Sequence, residues 1–257
     1  MPEFCDVERD GHVLTVTIAR PEVMNAIHPP ASAELARAFD EFEADPDLWV
    51  AIVTGRGDKA FCAGNDLKFQ AAGGKLEWPV SGFGGLTARF GLTKPLIAAV
   101  NGLAMGGGFE IVLACDIVVA AETALFSLPE PRVGLAALAG GMQRLPRQIP
   151  LKHAMGMLLT GRRVPAEEAL RLGFVNEVVP PGQALAGARR WADAILECSP
   201  LSVRASKAVA LESLAYPSLE EALAARYDAV ATLVRSEDFV EGPRAFAAKR
   251  KPVWKGR

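Results

Sequence analysis

The chain reads as a layered α/β protein with a helical C-terminal part. Three observations predict it: an N-terminal run of alternating β-branched residues, apolar strands that alternate with helical periods through the middle, and a purely helical pattern after Pro181. With 257 residues and half of them hydrophobic, the chain can bury a sizeable core as one large domain or one domain with an appendage.

Each element follows from its local pattern. Residues 4–19 alternate as Val13, Thr15, Thr17 against Leu14, Val16, Ile18 around Asp10-Gly11, which predicts a β-hairpin. From Pro30 to Asp45, Leu35, Phe39 and Phe42 recur at helical spacing, and Val50 to Thr54 is a buried-type strand closed by Gly55 and Gly57. The alternation returns with a strand at Leu96 to Val100, a helix at Gly107 to Leu113 and a strand at Ile117 to Ala120. Such recurring strand-strand-helix units can wind into a spiral of sheets. Ala71 to Gly85, rich in Gly and carrying Trp78, Pro79 and Phe83 without a period, predicts a mobile loop of the kind that covers a site. Amphipathic spacing then predicts helices at Ala184 to Glu197, Leu201 to Leu214 and Leu219 to Val234.

Composition narrows the function classes. A net charge of −2 implies neither a nucleic-acid surface nor an acidic tail. Cys5, Cys62, Cys115 and Cys198 form no CxxC pair, so a zinc site and a disulfide framework are both disfavoured and a reducing cytoplasm is expected. The acidic start MPEFCDVERDG does not resemble a signal peptide, and the longest apolar runs are too short to span a bilayer. His12, His28 and His153 fit no metal spacing and are read as surface or packing residues; metal ligands are expected to be none. There is no GxSxG elbow, P-loop or complete GxGxxG fingerprint.

The strongest local feature is Asn101 to Glu110, in which Gly106-Gly107-Gly108 follows a buried strand and opens a helix. Glycines there let a ligand reach the backbone, and the first N–H groups of a helix lack internal acceptors, so they can serve an oxyanion. A turn that merely packs strand on helix would use the same residues. Phe61 to Lys68 is a second glycine turn between strand and helix, ordinary alone but able to converge with the first. Glu110 in a first helical turn fits the helix dipole as well as it fits catalysis. Glu130, between Pro129 and Pro131, is predicted on extended backbone and is read either as a solvated carboxylate paired with Arg132 or as a partner of Glu110. Two carboxyls in one dry site can hold different protonation states, which is what general acid/base catalysis requires.

Several segments resemble the enoyl-CoA hydratase/isomerase (crotonase) family in order and spacing: Arg20 to Ala26, Phe61 to Asp66, Lys94 to Asp116, Ser127 to Glu130, Gly140 to Leu145 and Leu159 to Arg163. Glu110 and Glu130 also stand twenty residues apart, as in the hydratase pattern. The resemblance implies a ClpP/crotonase-like spiral of ββα units, with a core at residues 1–195 and a helical region at 196–257 for oligomerisation and covering coenzyme A. It implies the Asn65 and Gly107 N–H groups as the oxyanion hole and Glu110 and Glu130 as the catalytic pair of a hydratase or dehydratase, with Glu130 delivering the proton at Cα. A CoA channel is implied near Val23, Ala26, Ala63, Asp66, Leu67 and Lys68, with Phe246 and Lys249 toward adenine and phosphates; a packed helix and a solvated basic tail remain equal readings for the last two. No cofactor is implied beyond the CoA carried by the substrate, and a homotrimer or dimer of trimers is expected. The segments Phe83 to Phe90 and Ser236 to Arg257 resemble the carnitinyl-CoA dehydratase subgroup, whereas Asn65 departs from the small or aromatic residue expected in the hole. An isomerase that moves a double bond with one carboxylate, and a non-catalytic acyl-CoA-binding oligomer, are the rival readings.

Overall fold

The computed structural model describes residues 3–257; Met1 and Pro2, where the expected core begins, lie outside the described residues. β1 (Cys5–Asp10) and β2 (Val13–Ile18) form the predicted hairpin, pairing Cys5 with Ile18 and Asp10 with Val13. Gly11, the first of its two loop residues, has φ of 57°, which suits the twist of a tight hairpin. α1 (Pro29–Ala44) starts one residue before the predicted Pro30: His28 caps it by accepting from the Ala31 N–H, and a proline takes the first helical position, where no N–H is needed. Its other end is closed by the buried Lys94 ammonium, which donates to the Phe42 and Asp45 carbonyls.

Next come three similar units. The first is β3 (Val50–Gly55), β4 (Ala60–Cys62) and α2 (Leu67–Ala71). The second is β5 (Leu96–Val100), β6 (Leu103–Met105) and α3 (Gly107–Ala114). The third is β7 (Ile117–Ala121), β8 (Leu125–Ser127) and a 3-10 turn at Glu130–Val133. α4 (Gly141–Gln148), α5 (Leu151–Thr160), β9 (Val164–Pro165), α6 (Ala166–Leu172) and β10 (Glu177–Val179) follow, then α7 (Ala184–Leu196), α8 (Pro200–Glu212), α9 (Leu219–Ala224), α10 (Asp228–Leu233) and α11 (Glu237–Ala247).

Each unit places its first strand in one sheet and its second in another. The larger sheet runs β1-β2-β3-β5-β7-β10 and the smaller β4-β6-β8-β9, so the chain winds as the expected spiral. Apart from β1 at one edge and β9 at the other sheet's edge, all neighbours are parallel. The main core lies between the sheets and α1 and includes Phe39, Phe42, Phe61, Phe109 and Phe126, all fully buried. A second core fills the outer face of the larger sheet, where α7 lays Ala184, Ala188 and Ala192 over Ile52, Ile97 and Val119. Gly187 lets that helix come close, since a Cβ there would stand 2.7 Å from a Val119 methyl.

Three expectations need correction. The stretch Ala71 to Gly85 is not all loop: its end is a 3-10 turn, Phe83–Gly85, and Phe83 and Leu86 are buried in the core, fixing that half as a wall. The helix expected from Leu219 to Val234 breaks after Ala224, because Ala225 takes an extended conformation and the Tyr227 hydroxyl donates back to the Ala222 carbonyl. The backbone at Glu130 is turned rather than extended: Pro129 has ψ of 5°, and the turn is closed by Arg132 N–H to Pro129 O. No helix among the described residues is long and apolar enough to cross a membrane.

Candidate active site

The site is assembled by the smaller sheet. β4, β6 and β8 lie side by side and parallel, pairing Cys62 with Ala104 and Met105 with Ser127, so all three end at one edge. Ligands collect at the carboxyl ends of parallel strands. The residues that leave that edge are Ala63 to Asp66 after β4, Gly106 to Glu110 after β6, and Pro129-Glu130 after β8.

The two glycine turns meet. Gly64 has φ of 91°, and a Cβ there would stand 2.7 Å from the Met105 carbonyl oxygen and 3.1 Å from the Gly107 nitrogen. Asn65 forms a parallel bridge with Ile27, which uses the Gly64 carbonyl and the Asp66 N–H. In such a bridge the intervening N–H points to the opposite side, so that of Asn65 faces away from Ile27. The Gly107 N–H opens α3 and has no intrahelical acceptor. Both residues line one cavity, and the dipole of α3 favours negative charge at its mouth. The pair has the makings of an oxyanion hole.

Both predicted glutamates face the same cavity. Glu110 is 3% exposed, and its Oε1 accepts from the Gly141 N–H at 2.8 Å. Burial pushes its carboxyl up to about 7; the Gly141 N–H works against this, whereas the neighbouring charge of Glu130 adds to it. Burial also raises Glu130 above the usual carboxylate range. Its Oε2 is buried with no hydrogen-bond partner among the described residues, and its Oε1 is 3.0 Å from where a Gly106 Cβ would stand. Gly106 itself has φ of 52° and ψ of −126°, a conformation for glycine alone. The expected alternative, Glu130 paired with Arg132, is absent: Arg132 donates instead to the Thr160 carbonyl.

The cavity measures about 760 Å³. Of the residues expected from the sequence, Ala63, Asn65, Leu67, Gly107, Glu110 and Glu130 line it, while Val23, Ala26, Asp66, Lys68, Phe246 and Lys249 do not. Asp66 has a different occupation, accepting from the Phe69 N–H to cap α2 and pairing with Arg20 at 3.0 Å. Burial would raise its carboxyl, but these two partners hold it low. Lys68, Phe246 and Lys249 are exposed, the last two at the end of α11. Among the residues that sequence reasoning assigned no role at the site are Gln70, Phe90 and Arg144. Gln70 accepts from the Asn65 side-chain amide at 2.8 Å, leaving Asn65 Oδ1 buried without a partner among the described residues. The signals available were the Gly140-Gly141 doublet before Arg144, since consecutive glycines mark a place where backbone meets something closely, and the place of Arg144 and Phe90 in segments that carry the family resemblance. Among the described residues no His, Cys, Asp and Glu side chains gather as a metal site.

The enoyl-CoA hydratase/isomerase family model matches residues 8–257. A carnitinyl-CoA dehydratase of Salmonella typhi is 44% identical, with all of both chains covered. Among solved structures, an enoyl-CoA hydratase of Mycobacterium tuberculosis superposes with TM-score 0.93 at 42% identity, covering 99% of each chain. A carnitinyl-CoA hydratase of Mycobacterium avium superposes at 0.79 with 43% identity and complete coverage of both. One buried and one half-buried carboxyl beyond the ends of adjacent strands, beside two amides with no partner among the described residues, agree with these likenesses. The chain belongs to the enoyl-CoA hydratase/isomerase family, with its crotonase fold, as an enzyme of the hydratase/dehydratase kind.

Proposed function

We propose that this enzyme adds water across C2–C3 of a 2-enoyl-CoA, or removes it from the 3-hydroxyacyl-CoA, with Glu110 and Glu130 sharing one water. The observation that carries this is the buried Glu110 and the half-buried Glu130, with its buried Oε2, on the wall that also holds the Asn65 and Gly107 amides. The thioester oxygen accepts from the two amides, each contributing roughly 3–4 kcal/mol once enolate charge develops. Water attacks Cβ and gives its proton to Glu130, whose Oε2 is otherwise unpartnered. Glu130 then delivers that proton to Cα, so OH and H add across the double bond and both carboxyls end as they began. Glu110, fixed by Gly141, orients the water. Dehydration runs the same steps backward.

The working pair carries one proton, held mainly by Glu110 because Glu130 charges first and raises its neighbour. Activity therefore falls on the alkaline side as Glu110 loses its proton near pH 7. The acyl group we propose is the carnitinyl/crotonobetainyl pair, supported by the named relatives and by Trp78 and Phe83, whose rings line the cavity and suit a quaternary ammonium. No cofactor is proposed beyond the CoA of the substrate, and the working form is proposed to be a homotrimer or a dimer of trimers in the cytoplasm.

Incubation with crotonyl-CoA, crotonobetainyl-CoA and a 3-enoyl-CoA tests the reaction. A 3-hydroxyacyl product is expected from at least one 2-enoyl thioester; double-bond migration alone would transfer the chain to the isomerases. Glu110→Gln and Glu130→Gln should each cut turnover at least ~100-fold while CoA still binds. Full rate in both variants would remove the catalytic assignment.

A further inference from the structure

We propose that Arg144 is a positioning residue for Glu110, tying the turn that holds the Glu110 carboxyl to the opposite wall of the cavity. The inference rests on the proposed catalytic use of Glu110. Arg144 belongs to α4, yet its side chain folds back over the helix start: a Cβ at Gly140 would stand 2.2 Å from Nη1, so a side chain there would displace the guanidinium, and Gly140 has φ of 104°. Nη1 reaches the Ala139 carbonyl at 3.5 Å, and Nη2 donates to the Thr87 carbonyl at 2.8 Å. The guanidinium carbon lies 5.5 Å over the Phe90 ring. One side chain thus joins residues 87–90 to residues 139–140, and the next residue, Gly141, is the donor to Glu110 Oε1. That contact has no slack, for a Cβ at Gly141 would stand 3.1 Å from the same oxygen.

The guanidinium also supplies positive charge to a carboxyl otherwise short of it. The groups facing Glu110 are Glu130 from the turn after β8 and Arg144 from α4, and they act in opposite directions. The remaining titratable neighbours of α3 are two thiols, Cys62 on β4, which burial pushes up to about 12, and Cys115, which burial also raises, so both stay neutral, and the Asp116–Lys207 ion pair beyond the far end of the helix. β6 and the Phe83–Gly85 turn bring no charge. Arg147 is exposed on α4 and donates to the Gln143 carbonyl. Removing Arg144 therefore frees the 139–141 turn and leaves Glu130, among the described residues, as the only charge facing Glu110.

The test compares Arg144→Gln, Arg144→Lys and Phe90→Leu with the parent full-length enzyme. Glu110 is followed directly by infrared titration of the protonated carboxyl band that Glu110→Gln lacks. Arg144→Gln should move that titration upward. It should lower kcat about 10- to 100-fold while the KM for the thioester stays within about threefold, the pattern of a mispositioned group rather than lost binding. Arg144→Lys, which keeps the charge, should recover most of the titration shift but not the full rate. Phe90→Leu, which leaves the hydrogen bonds in place, should move both readouts slightly in the same direction, and it serves where Arg144→Gln does not fold. An unmoved titration in Arg144→Gln, or in Phe90→Leu if only that folds, would overturn the inference, as would equal shifts in the Gln and Lys variants. Retained activity in Glu110→Gln would instead defeat the reading on which it rests.

Discussion

Asp66 and Glu110 are both buried acids, and their surroundings treat them in opposite ways. Asp66 has a helix N–H and an arginine, so its charged form is favoured and its carboxyl is held low. Glu110 is buried more deeply beside the acidic Glu130, and the backbone N–H groups of Gly141 and Ala139 and the charge of Arg144 only partly offset this, so its carboxyl rises to about 7. The signs for stability follow. Asp66 stabilises the fold above the carboxylate range of the unfolded chain and loses that contribution as pH falls. Glu110, raised in the folded state, costs nothing below its unfolded value and costs most above about 7, where the fold must hold a buried charge. Glu110→Gln should therefore shift the urea midpoint upward at pH 8, by a free energy on the order of 3 kcal/mol, and leave it unchanged at pH 4. The amide oxygen of glutamine can still accept from Gly141. Equal midpoints at pH 8 would mean that Glu110 is not buried with the energy assigned to it. Both glutamates could be picked out of the sequence as candidates, but the donor that fixes Glu110 could not: Gly141 lies 31 positions away.

Among the elements, the short strands β4, β6 and β8 determine whether the two amides converge. They are three residues each, too short for a two-residue period to register, so the smaller sheet was not assigned from the sequence. The larger sheet was legible where its strands are five or six residues long and rich in β-branched and apolar residues. α4 was hidden for another reason: Pro146 lies inside it and argues against helix when read locally, although packing around Leu145 holds the helix together. The break between α9 and α10 likewise carries no proline or glycine signal, only Ala225-Arg226-Tyr227. The turns at the strand ends, by contrast, were readable, because glycine is required there by contact as well as by torsion. Gly64→Ala puts a methyl group 2.7 Å from the Met105 carbonyl at a φ that alanine resists. The turns must separate, and the Asn65 amide moves off the thioester oxygen. Turnover should fall at least ~100-fold, the cost of losing one oxyanion donor, with the Glu110 titration unmoved. A variant that keeps its rate would show that the Asn65 amide does not serve the oxyanion.

At the level of the whole molecule, the helices after α7 present more apolar surface than one chain covers. Leu214, Leu219 and Leu223 are 80%, 75% and 77% exposed on or beside α9, and Phe246 is 87% exposed on α11. An accumulation of large apolar side chains on consecutive helices is the mark of a protein contact. Phe246 and Lys249 add a functional reason. The family resemblance gives them contact with CoA, yet within one chain neither lines the cavity. On the proposed reading, a neighbouring copy must bring them to it, and closed rotational symmetry would repeat that delivery at every site. The expected solution mass is three or six times the 27.3 kDa of one chain. Leu219→Glu with Leu223→Glu should lower that mass and raise the KM for the acyl-CoA about tenfold. kcat should stay within about twofold, because Glu110, Glu130, Asn65 and Gly107 all belong to one chain. Phe246→Ala in the intact assembly should reproduce the KM effect alone. Sedimentation and steady-state kinetics on the same samples decide the matter: a dissociated chain that binds acyl-CoA as tightly as the parent would mean that each site is complete without its neighbour.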